Sequence, residues 1–84
     1  MICEERRCYL CGRVGALQVH HCQHGIRRKK AIVFDLTVFL CPECHMRLHD
    51  QGVGDLYLQQ ISQQYFEQQF GHDEWMNQFG KNYL

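Results

Sequence analysis

At 84 residues the chain has room for one small domain, whose apolar core alone would be marginal. Nine basic and nine acidic side chains cancel, so bulk charge singles out no polyionic partner, although Arg27–Lys30 is a basic run and Gly71–Glu74 an acidic one. No stretch is long and apolar enough to cross a bilayer, and charges interrupt the N-terminus where a secretory segment would be apolar, which predicts no membrane partner and a cytoplasmic, thiol-reducing setting.

In chain order, the first predicted element is a strand over Ala16–His21, where apolar and polar residues alternate after a glycine-containing turn. "CQHGIRRKK" then reads as a loop, and "AIVF" is left open between a short helix and a strand. A second strand covers Leu36–Leu40. Pro42 suits the first turn of a helix, because its missing N–H would have no partner there; that helix runs from about Pro42 to Asp50 and stops at "QGVG". From about Gly54 to Phe70 the apolar residues recur at helical spacing, with Tyr57, Leu58, Ile61 and Tyr65 as one stripe and Phe66 and Phe70 on a second flank. Gly71 ends this helix, Asp73 caps a last one carrying Trp75, Met76 and Phe79, and Gly80 closes it. The chain reads as a single domain over residues 1–84, with a finger at about 8–50 and a helical extension at about 53–84. An extension apolar on two flanks leaves both a monomer and a homodimer open.

A core this small needs a staple, and six cysteines provide the material. Cys8 and Cys11 form one C-x-x-C and Cys41 and Cys44 another; each knuckle aims two sulfurs at one point, and two knuckles complete a tetrahedral site for structural Zn²⁺. Cys3 reads as a bystander or spare ligand. Cys22 reads as a small core residue, its side chain opposite that of His21 along the strand.

Four histidines remain: His20 and His21 at a strand end, and His45 and His49 four apart on one face of the helix after the second knuckle. With them, "LQVHH" after a C-x-x-C, followed by "LCPECHMRLH", resembles the zinc-bound form of the HNH (ββα-metal, His-Me finger) endonuclease family over residues 8 to 49. The ending "FGKNYL" is similar to that of small phage-type HNH proteins. The resemblance implies an α+β fold: a zinc-stapled ββα-metal finger, β-hairpin plus helix, with a C-terminal helical extension. It also implies metal-dependent hydrolysis of DNA phosphodiesters in a bacterial or phage-infected cytoplasm.

By that resemblance His20 and His45 hold a catalytic Mg²⁺, Mn²⁺ or other divalent ion, His49 is a further ligand, and His21 is the general base. The chemistry agrees, because hydrolysis needs a base with a near-neutral pKa and a cation that stabilises phosphate and leaving oxygen. The departure is the family's asparagine, which orients the base: none lies between His21 and Cys41, and Asp35 and Thr37 are the nearest polar residues. Asp35 reads either as the substitute, since a carboxylate can fix an imidazole tautomer, or as a capped-turn residue with no catalytic part. Arg27, Arg28, Lys29 and Lys30 are the candidates for phosphate contact. The missing asparagine keeps a second reading open: a non-catalytic zinc module that binds nucleic acid or protein and retains a degraded HNH site. His24 reads as a loop residue, with contact to metal or phosphate as the lesser alternative, and His72 as a surface residue beside the last helix.

Overall fold

A computed structural model describes all 84 residues. Two short strands, β1 (Gln18–His21) and β2 (Thr37–Leu40), pair antiparallel with His20 opposite Val38 and His21 opposite Thr37. Four helices surround them: α1 (Arg28–Val33), α2 (Pro42–Gln51), α3 (Asp55–Phe70) and α4 (His72–Phe79). The fold is therefore α+β, built on a two-stranded hairpin. A two-stranded sheet is marginal in water. Here the N-terminal segment adds to it, Ile2 N–H donating to Thr37 O and Tyr9 N–H to Phe39 O, both at 2.8 Å.

The connection between the strands differs from the expected loop. Gly25–Arg27 forms a 3-10 turn that runs straight into α1, so Arg27 is the N-cap and Arg28, Lys29 and Lys30 form the first turn of that helix. Long-range contacts explain this. Arg27 Nε donates to Phe79 O at 2.9 Å and Lys30 Nζ donates to Gln78 O, placing two cations on the last carbonyls of α4, where backbone acceptors are unpaired and the helix dipole is negative. Ala31, on the inner face of α1, is fully buried. α1 ends in a reversal at Asp35 (φ 59°), after which Leu36 N–H returns to Ala31 O at 2.8 Å.

α2 starts as the sequence indicates. Cys41 is its extended N-cap, its sulfur accepts from Cys44 N–H at 3.4 Å, and Pro42 occupies the first turn. Gly52, at φ 70°, closes the helix by returning its N–H to Leu48 O. α4 begins directly after Gly71 rather than after Asp73.

α3 has the expected extent but a different inner face: Leu58, Ser62, Gln63 and Phe66 are buried, whereas Tyr57 and Phe70 are about half exposed. The chain end returns along this helix. Gln63 Nε2 donates to Asn82 Oδ1 (2.8 Å), Gln63 Oε1 accepts from Tyr83 N–H (2.7 Å), and Gln60 Nε2 donates to Tyr83 O (2.9 Å). A buried amide with all sides partnered carries no desolvation penalty, so glutamine displaces tyrosine from the inner face.

The core has two parts bridged by α3. Cys8, Cys22, Val38, Leu40, Cys41, Leu48 and Leu58 pack between the hairpin and α2. Ala31, Leu36, Phe66, Trp75 and Phe79 form the second cluster, in which Trp75 stacks on Phe79 at 4.0 Å and donates through Nε1 to Lys81 O. No helix is long and apolar enough to cross a membrane.

Candidate metal centres

Cys8 and Cys11 lie in the turn before β1, closed by Gly12 N–H donating to Cys8 O at 2.8 Å. Cys41 ends β2 and Cys44 sits in the first turn of α2, so the second knuckle is the strand-to-helix junction itself. The four Sγ atoms all lie within 4.8 Å of one another, with Cys11 and Cys41 at 3.8 Å. A tetrahedron of Zn–S bonds of 2.3 Å has edges of about 3.8 Å. These cysteines are therefore arranged to hold a metal ion, and the donor set and spacing suit structural zinc. Burial opposes ionisation of Cys8, but backbone N–H groups of Cys41, Cys11 and Leu10 outweigh it and bring its thiol down to about 6, the thiolate form a metal needs. Cys22 is the opposite case: burial, then Asp55 and Cys3, push it up to about 12, as suits an inert core thiol.

The histidines converge on the other side of α2. Gln18 and His20 share one face of β1, two residues apart, and meet the face of α2 that carries His45 and His49. Ligand nitrogens of His20, His45 and His49 lie within 4.8 Å of one another. An amide oxygen only accepts, so at 2.6 Å the His45 Nδ1–H donates to Gln18 Oε1, leaving the His45 Nε2 lone pair to face His49 Nε2 at 3.0 Å. A tetrahedral ion with bonds of about 2.05 Å would separate neighbouring nitrogens by about 3.3 Å. His20 is 2% exposed and its Nε2 is buried without any hydrogen-bond partner. An orphaned buried nitrogen costs free energy unless something occupies it. Burial first, then the crowding of His45, His24 and His49, push His20 down to about 4 despite Asp55, so it is neutral and its lone pair is available. Burial and His49 lower His45 likewise.

These residues line an open cavity of about 370 Å³ in which Val19 is the one apolar side chain; His20, His21, His24, His45, His49 and Arg28 share it. His21 stands on the strand face opposite His20, and burial followed by Arg28 lowers its pKa. Of the expected phosphate contacts, Arg28 lines the cavity, Lys29 is exposed, and Arg27 and Lys30 are engaged with α4. No hydrogen bond joins Asp35 to His21. Its carboxylate accepts from the Met1 amine and, at 3.5 Å, from Thr37 Oγ1, because a left-handed residue after α1 turns its side chain towards the N-terminus.

Three residues at the site escaped the sequence reading. Gln18 was legible in principle, two positions before His20 on the same strand face. Asp55 accepts from His24 Nε2 at 2.6 Å, and His24 so held joins the cavity wall. Gln23 is fully buried and lines the cavity, with an unpartnered Oε1. The pairing of His24 with Asp55 and of Gln23 with Ser62 joins positions 31 and 39 apart, and no local pattern signals that. No family model, curated protein or solved structure matches the chain.

Proposed function

We propose that the chain is a metal-dependent HNH-type endonuclease: a zinc-stapled ββα-metal finger that hydrolyses DNA phosphodiester bonds. The observation that carries the reading is the convergence of ring nitrogens of His20, His45 and His49 within 4.8 Å of one another, His20 being buried with an unpartnered Nε2, beside the helix whose first turn carries Cys44. His20, His45 and His49 hold the catalytic ion, and Gln18 fixes the tautomer of His45. Three neutral imidazoles favour borderline ions such as Zn²⁺, Ni²⁺ or Co²⁺ over Mg²⁺. A bound ion supplies Lewis-acid stabilisation of the phosphate and the leaving oxygen. His21, held below its ordinary pKa, is unprotonated near neutrality and takes the proton of the attacking water. Arg28 and Lys29 bind phosphate oxygens without reading bases, so affinity falls with salt. A homodimer through the half-exposed Leu56, Tyr57 and Phe70 of α3 belongs to the same proposal and is tested by the mass of the chain in solution.

Supercoiled plasmid is the substrate for the test, with Zn²⁺, Ni²⁺, Mn²⁺ or Mg²⁺ added in turn. Metal-dependent nicking by the wild type, lost in His21→Ala, is expected. Absence of nicking with every ion, or equal nicking by the variant, removes the catalytic reading. The non-catalytic zinc module then stands in its place; the observation favouring it is that no hydrogen bond joins His21 to Asp35 or to an asparagine. Salt-sensitive DNA binding without cleavage would be its signature.

A further inference from the structure

His20 belongs to two ligand sets. One adds His45 and His49 of α2; the other adds His24, in the loop after β1, and Asp55, in the first turn of α3. His24 Nε2 and Asp55 Oδ1 are 2.6 Å apart, and a nitrogen of His20 lies within 4.8 Å of both. The His20 ring meets those of His45, His24 and His49 edge-on, with centroids 5.3, 5.7 and 6.0 Å away. Either set can thus close on one ion with small side-chain shifts, and the buried His20 Nε2 has no other partner.

The two sets differ in donor chemistry. Three neutral imidazoles suit nickel, cobalt or zinc. Two imidazoles and a carboxylate make a harder donor set that brings negative charge, which suits manganese, an ion that imidazoles alone bind weakly. A neutral imidazole has one in-plane lone pair, so His20 serves one ion at a time.

We propose that the cavity holds one divalent ion at either of two positions, chosen by the metal: Ni²⁺, Co²⁺ or Zn²⁺ at His20, His45 and His49, and Mn²⁺ at His20, His24 and Asp55. The inference rests on reading the first trio as a metal site. At the second position the ion replaces the proton shared by His24 and Asp55.

Metal titrations on the chain with zinc in its cysteine site test this, reading Mn²⁺ by loss of its free paramagnetic resonance signal and Ni²⁺ by calorimetry. His24→Ala and Asp55→Asn should weaken Mn²⁺ by about tenfold or more and leave Ni²⁺ within about twofold. His49→Ala should do the reverse, His20→Leu should abolish both, and Ni²⁺ should expel Mn²⁺ mole for mole. Asp55→Asn keeps an acceptor for His24, so it guards against a mere folding defect, and circular dichroism checks each variant. If Mn²⁺ affinity ignores His24 and Asp55, the inference is overturned, and that pair is only a hydrogen bond tying the loop to α3. Simultaneous binding of Mn²⁺ and Ni²⁺ in the cavity overturns it as well. Ni²⁺ binding indifferent to His49 removes instead the metal site of the proposed nuclease, while the Mn²⁺ variants still decide the second position.

Discussion

Single side chains carry the sharpest consequences. His20 is buried neutral with a pKa of about 4, below the ordinary 6.5. Between these values the unfolded chain binds a proton that the folded chain refuses, so stability is full above pH 6.5 and falls as pH drops towards 4, by at most about 3 kcal/mol. Urea midpoints at pH 7 and pH 5 should therefore fall more in the wild type than in His20→Leu; parallel losses would mean that His20 titrates normally. Gln18 acts through His45, and Gln18→Ala should weaken Ni²⁺ binding about 10–100-fold while leaving zinc at the cysteines untouched, as titration against a competing chelator would show. Asp35 holds a left-handed backbone that costs a side chain about 1 kcal/mol or more. Asp35→Gly relieves that strain and should leave plasmid nicking unchanged; a large loss of nicking would instead restore the aspartate as the orienting group of His21.

At the scale of elements, the strand-to-helix junction at Cys41 does two jobs. Its sulfur caps α2 and faces the other cysteines, and one turn later the same helix presents His45 and His49. The position of the histidine site is thus set by the cysteine site. α3 is the other element with a double role, since Leu58 packs with the cluster between the hairpin and α2 and Phe66 with the aromatic cluster. Its buried Gln63 ties down the chain end; Gln63→Ala leaves Tyr83 N–H without its partner and removes one of the two donors to Asn82 Oδ1, and should cost about 1–3 kcal/mol in thermal or urea unfolding. A cost near zero would show that water replaces the amide and that the tail is not held through it.

For the whole molecule, two clusters of seven and five buried residues are each too small to stand alone, and zinc bound by the four cysteines would contribute about 10–16 kcal/mol, as much as the net stability of an ordinary domain. Stripping zinc with a strong chelator, or Cys44→Ser, should therefore unfold both clusters together. Trp75, the one tryptophan and fully buried in the aromatic cluster, reports this by a red shift of its emission in step with the loss of helix signal. Emission unchanged after chelation would mean that the aromatic cluster folds independently of the hairpin and α2.

Local signals brought the two knuckles, the proline-started helix, both strand positions and the His45–His49 face within reach of the sequence alone, because each depends on residues within a few positions of one another. The apolar stripe of α3 was misread, and the basic first turn of α1 was taken for a loop, because both depend on the C-terminal segment: Asn82 and Tyr83 make a polar inner face affordable, and the carbonyls of α4 give a basic run its reason to be helical. The same distinction holds at the site. Spacing by itself put His45 and His49 on one helix face; only tertiary packing brought Gln18 to His45 and Asp55 to His24, since pairings across 27 to 31 residues leave no periodic trace in the chain.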